Sequence, residues 1–155
     1  MLAFNHLGKL GQLGNQMFQY AALRGIASKV ASEFMIPNHQ EIYDDGIGNR
    51  YGILLFDAFK LVHTSNYGIL NTSNYVSEEH FHFNERMFSL NNEKDASLWG
   101  FFQSEKYFEH IKYSIFDDFT FKDEIVEHCI PLREQFDNPI ALHIRRGDFL
   151  TNSGN

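Results

Sequence analysis

Apolar residues along this chain fall in short runs, set apart by glycine-bearing and polar stretches. The densest run predicts a helix over roughly Gln16 to Ser32. Its positions Met17, Phe18, Tyr20, Ala21, Ala22, Leu23, Ile26, Ala27 and Val30 leave few polar sites, so the helix should be buried nearly all round. Asn15 stands where an N-cap belongs. Ahead of it, Met1 to Phe4 can form a short strand, and a glycine-spaced loop joins the two through Gly8, Gly11 and Gly14.

Downstream, Phe34-Met35-Ile36 reads as a second strand stopped by Pro37, and Asn38 to Tyr51 reads as a loop. Ile53 to Phe56 and Phe59 to Val62 are apolar pieces of undecided type. Thr64-Ser65-Asn66-Tyr67 recurs as Thr72-Ser73-Asn74-Tyr75, which suggests a hairpin or chance and not a solenoid. Glu79-His80-Phe81-His82 reads as a half-exposed strand with histidines on its wet face. Ser97 to Phe102 reads as a buried strand with Gln103 at its carboxyl end. Ser104 can cap a helix from Glu105 to about Tyr113, a further helix covers Lys122 to His128, and Pro131 marks a break. After Asn138-Pro139, Ile140-Ala141-Leu142-His143-Ile144 is apolar in four of five positions and predicts a buried strand. Strands alternating with helices argue an α/β fold with a largely parallel sheet.

Composition narrows the function. The 155 residues suffice for one domain with a real core, and 43% hydrophobic with 15% aromatic content excludes a disordered chain. A net charge of −7 argues against broad nucleic-acid binding and against an anionic membrane surface. A cationic spot in such a chain suits one small anionic ligand. The single cysteine, Cys129, excludes an internal disulfide and fits a reducing compartment. No apolar run approaches the ~18 residues of a membrane span, and no signal peptide is visible. The expected location is therefore cytoplasmic, with at most peripheral membrane association.

Two places carry candidate chemistry. At the first, strand, glycine loop and helix N-terminus form an anion-friendly corner around Gly14, Asn15 and Gln16. The glycines are spaced three and three, which is neither a dinucleotide fingerprint nor a P-loop, and a tight turn needing glycine dihedrals is the plainer reading. The second is the end of the last strand, His143-Ile144-Arg145-Arg146-Gly147-Asp148-Phe149, where an apolar run meets a cationic turn. His143 and Arg145 share a strand face and read as the ligand-facing pair. Arg146 and Asp148 read as an ion pair closing the turn, with direct ligand contact as the alternative. Arg146-Gly147-Asp148 as an adhesion tripeptide finds no support, since neither signal peptide nor disulfides accompany it. His80 and His82 could bind a metal, but no further ligands fall at a recognisable spacing, and the expectation is no metal. Asn71-Thr72-Ser73 matches a glycosylation sequon and reads as accidental.

Three segments resemble a known family. Gly14-Asn15-Gln16-Met17-Phe18-Gln19-Tyr20-Ala21, Gly100-Phe101-Phe102-Gln103-Ser104-Glu105-Lys106-Tyr107-Phe108 and His143 to Phe149 resemble, in order, the N-terminal, central and first donor-site motifs of the α-1,2-fucosyltransferases, glycosyltransferase family eleven. The last position departs, since the family more often has Tyr where this chain has Phe149. The resemblance implies inverting, metal-independent transfer of L-fucose from GDP-β-L-fucose to the 2-hydroxyl of a terminal galactose. It implies a Rossmann-like N-terminal domain of a GT-B glycosyltransferase over 1–138, with 139–155 beginning the donor-binding domain. The resemblance carries function to Arg145 and His143, as catalytic residues, and to Asn15, while Gly14, Gln16, Arg146 and Asp148 are further candidates for contact with the sugar nucleotide. The resemblance ends just after Asp148, so the chain is expected to be incomplete and inactive alone. A non-catalytic glycan- or nucleotide-binding module built on the same fold is the competing reading.

Overall fold

The structure, a computed structural model, describes residues 1–44 and 50–144. It divides into two compact units, Met1–Lys122 and Asp123–Asn155.

The first unit is built on a four-stranded, fully parallel sheet. Strand β1 (Leu2–Ala3) feeds through a glycine loop into helix α1 (Leu13–Lys29), which returns to β2 (Phe34–Met35). A separate antiparallel pair, β3 (Tyr43–Asp44) and β4 (Arg50–Tyr51), and a short helix α2 (Leu55–Ala58) precede β5 (Tyr75–Ser77) and β6 (Ala96–Trp99). The sheet order is β2-β1-β6-β5, with Leu2 registered against both Phe34 and Ala96, and Tyr75 against Ser97. The central position of β1 explains its composition: Leu2, Ala3 and Phe4 are all buried, as a strand covered on both faces requires.

Helix α1 packs on β1 and β2 through Tyr20, Ala22, Leu23 and Ile26, all fully buried. On another side it meets two turns of 3-10 helix, Glu105–Tyr107 and Glu109–Ile111. The approach is so close that a Cβ at Gly25 would stand 2.0 Å from the Tyr107 carbonyl oxygen. The core continues through edge-on ring contacts, Phe4 with Phe102 at 5.9 Å and Phe102 with Tyr107 at 5.4 Å.

One buried polar knot closes this unit. Asp118, fully buried at the end of helix α3 (Lys112–Asp118), pairs with Arg24 of α1. Its Oδ2 also accepts the Tyr20 hydroxyl at 2.8 Å, and its Oδ1 accepts the His63 N–H at 2.7 Å. Arg24 donates further to the Ser114 Oγ and carbonyl oxygen. Burial, followed by the Asp118 charge, pushes the Tyr20 phenol far above its usual range, so it stays a donor.

Several sequence expectations are corrected. Helix α1 starts at Leu13, with Gln12 as N-cap and not Asn15, and it ends at Lys29. Phe18 is 36% exposed and Met17 half-buried, so one stripe of the helix is not core. Part of the expected 38–51 loop forms the β3–β4 pair. Tyr75–Ser77, unforeseen, is an edge strand, whereas residues 79–82 form no strand. The strand expected over Ser97 to Phe102 stops at Trp99, because Gly100 and Phe102 take positive φ of 151° and 53°. Glu105 to Ile111 forms 3-10 turns, and the α-helix begins only at Lys112.

The second unit holds helix α4 (Asp123–Arg133) and no strand among its described residues. Pro131 lies inside that helix and does not end it. The strand expected from Ile140 is absent over 140–144, and Ile140 is 95% exposed. A parallel strand needs hydrogen-bonding neighbours, and the described part of this unit supplies none.

The knot yields a prediction. Asp118→Asn leaves the buried Arg24 without its counter-charge, and should cost about 3–5 kcal/mol of stability. Denaturant unfolding followed by circular dichroism checks this, and an unchanged midpoint would contradict the role of the pair.

Candidate functional site

The chain leaves β1 through α1 to β2 on one side, and later crosses to β5 at the far edge and returns through β6 to β1's other side. In open parallel sheets, ligands lie outside the carboxyl ends of strands where the order reverses in this way. Here that place is bounded by the glycine loop after β1, the start of α1, and residues 100–103 after β6.

The loop is fixed by glutamines. Gln19 Nε2 donates to the Leu10 carbonyl oxygen and the Gly100 carbonyl oxygen, both at 3.0 Å, tying the glycine loop to the exit of β6. Gln16 Nε2 donates to the Gly52 carbonyl oxygen at 3.1 Å. Both side chains are fully buried. Gly11, at φ 88°, brings the loop against the helix so closely that a Cβ would meet the Asn15 amide at 2.0 Å. Asn15 Oδ1 in turn accepts from Gln103 Nε2 at 2.6 Å, so two exposed amides from the two strand ends meet over the crevice. Gln12 makes no side-chain cap and the first turn of α1 carries no acidic residue. The first-turn N–H groups therefore keep their donor capacity and their positive potential.

Beside this corner, at the ends of β5 and β6, lies a cavity of about 640 Å³. Residues 78–82 and 99–101 line it together with Leu10. Glu78 shapes it: its Oε2 accepts the N–H groups of Phe101 and Phe102 at 2.8 and 3.0 Å. Gly100 is required there, since a Cβ would stand 2.5 Å from the Glu78 Cβ. Glu78 Oε1 and His6 Nδ1 are buried without a hydrogen-bond partner among the described residues. Such orphaned atoms ordinarily carry a cost of about 1–3 kcal/mol each, which functional sites retain. His6 packs edge-on against Trp99 at 4.7 Å.

A sequence model described as Glycosyl transferase family 11 matches residues 3–155. The chain belongs to this family. Membership makes it a glycosyltransferase-family protein and supports fucosyl transfer in general. Comparison with curated proteins and with solved structures gave no match. The four-stranded parallel sheet agrees with a Rossmann-like domain of a family 11 glycosyltransferase.

The residues singled out from the sequence of this family 11 chain fall in different places. Gly14, Asn15 and Gln16 all lie in the first turn of α1, where Gln16 is structural, Asn15 faces Gln103, and a Cβ on Gly14 would meet nothing within 4 Å. His143 is exposed in the second unit. Arg145, Arg146 and Asp148 lie outside the described residues. Gln103, noted only for its position, proves to be the partner of Asn15. Glu78 was missed, and nothing in its local sequence marks a carboxylate that clamps a turn 23 residues away. Among the described residues no group of three or more His, Cys, Asp or Glu side chains is placed to hold a metal ion. No helix among them is long and apolar enough to cross a membrane.

Two predictions follow from this geometry. Gly11→Ala forces the Asn15 amide aside and a left-handed backbone onto alanine. It should lower stability by about 1–3 kcal/mol and shift the Asn15 and Gln103 side-chain amide resonances. Unmoved resonances would contradict the packing described. Burial, then the Lys9 charge, hold the His6 pKa below its ordinary 6.5. The unfolded chain therefore binds this proton more readily, so its stabilising contribution is present above about pH 6.5 and is lost as pH falls. Replacing His6 with Gln should flatten the decline in thermal midpoint between pH 7.5 and 5, and an identical slope would refute the assignment.

Proposed function

We propose that this protein transfers L-fucose from GDP-β-L-fucose to the 2-hydroxyl of a terminal galactose, with inversion and without a metal. The observation that carries the reading is the family match over residues 3–155, within which the three motif segments occur in order. The wider architecture proposed is of the GT-B type, with 1–138 forming the N-terminal domain and 139–155 belonging to the donor-binding domain. The proposed setting is cytoplasmic, at most peripheral to a membrane where glycans are assembled.

The chemistry asks for positive charge at the departing diphosphate, because breaking the fucosyl–phosphate bond concentrates negative charge there. Arg145 offers a planar fork of N–H donors that matches phosphate oxygens bidentately. His143 supplies a second hydrogen bond that orients the diphosphate. The uncapped first turn of α1, at Gly14 and Asn15, supplies neutral donors suited to the same anion. The role proposed for Arg146 and Asp148 is an ion pair that supports Arg145.

The test is GDP release from GDP-β-L-fucose with a galactose-terminated acceptor, using protein expressed from the whole open reading frame. Arg145→Ala should lower the rate at least ~100-fold, the scale of losing one transition-state donor, whereas Arg146→Ala should mainly lower stability or yield. Full activity of Arg145→Ala would remove the proposed role, and absence of fucosyl product in the unaltered protein would sink the reaction.

A further inference from the structure

The cavity at the ends of β5 and β6 has a lining unlike the anion corner beside it. Its lining includes Glu79, His80 and His82, all exposed, together with Glu78, whose carboxyl is held by backbone, and no lysine or arginine is among the described residues that line it. Its apolar surface is aromatic: Trp99, half-buried on β6, and Phe101, whose ring lies 5.9 Å from that of Phe81. At about 640 Å³ it falls in the size range of small-molecule sites, roughly 300–1,000 Å³.

This combination selects among ligand classes. The Glu79 carboxylate, with no lysine or arginine in the described lining, repels a phosphate or diphosphate. A purely apolar ligand laid over the exposed Glu79, His80 and His82 would displace their water and offer no hydrogen bond in return. A neutral pyranose satisfies both halves, because its C–H face is apolar and its rim carries hydroxyls that both donate and accept. Aromatic rings cover the first, while carboxylates and imidazoles pair with the second. Glu78 keeps the aromatic wall in place, since its Oε2 holds the N–H groups of Phe101 and Phe102.

We infer that this cavity binds a neutral sugar ring, with Trp99, Phe101 and Phe81 as its stacking wall and Glu79, His80 and His82 as its hydroxyl-binding edge. Identifying that ring as the acceptor rests on the reaction proposed above, whereas the binding does not. The site is separate in chemistry from the corner at Gly14 and Asn15, so anion and neutral sugar are received by adjoining but differently charged walls.

Trp99 is the chain's one tryptophan, so its fluorescence reports this cavity alone. Titration of the full chain with lactose should give a saturable change in emission. Phe81 is 69% exposed and Glu79 is also exposed, so Phe81→Ala and Glu79→Gln leave the fold intact. Each should weaken lactose binding about tenfold, the equivalent of losing one good contact. Phe116→Ala, at a 65% exposed ring outside the cavity lining, should bind as the unaltered chain does. No saturable change with lactose, undiminished binding by both cavity variants, or a stronger response to GDP than to lactose would each overturn the proposal. Fucosyl transfer is assayed separately. Lactose binding without transfer leaves the sugar site standing and removes the reaction, and transfer without a response at Trp99 does the reverse.

Discussion

The first unit depends on one carboxylate taken fully out of water. Asp118 ends α3, yet its oxygens are used by three groups from two distant parts of the chain: the guanidinium of Arg24 and the phenol of Tyr20, both on α1, and the backbone at His63. A buried charge is tolerated only when its partners are all in place. The knot therefore fixes relative positions that apolar packing alone would leave free to slide. The rings of Tyr20 and Phe34 flank the Arg24 guanidinium, at 6.0 and 5.6 Å, and seal it further. Through α1, the same constraint sets where Gln16 and Gln19 reach, and hence where the glycine loop lies.

The site shows a division of labour between anchoring and presenting. Buried glutamines and Glu78 hold backbone segments, and Asn15, Gln103, Glu79 and the aromatic wall are left facing the proposed sites. The glycines mark close approaches that a Cβ would block. Gly25 allows α1 to touch the Tyr107 carbonyl, and Gly100 allows the turn after β6 to lie on Glu78.

Local pattern revealed the elements whose burial is intrinsic to their own residues. The Leu2–Ala3 strand, the body of α1 and the core of the Ala96–Trp99 strand were all legible, because apolar content and spacing mark them. Elements made by their partners were not. Tyr75-Val76-Ser77 is a strand because β6 offers it a ladder, and Ile140 to Ile144 is apolar enough for a strand but finds no ladder among the described residues of its own unit. The cap of α1 was misplaced because Asn15, a good N-cap type, spends its carbonyl oxygen on Gln103, 88 residues away. The glycine loop as a candidate site could be read from spacing. Asp118 and Glu78 could not, since a carboxylate's importance lies in which donors surround it.

The strand order has a consequence for how the chain comes together in time. β1 occupies the second position of the sheet, yet one of its two ladders is made with β6, and the Met1 ammonium group closes on Asp95, 94 residues later. A nascent chain emerging amino-end first can form β1, α1 and β2, but the most buried strand then presents a bare edge until residue 96 has left the ribosome. Non-local parallel pairing of this kind is slow and leaves apolar edges open to other chains. The strands that emerge first are two residues long, which gives a stray strand little to pair with. Brevity at the start of the sheet thus protects the chain during synthesis.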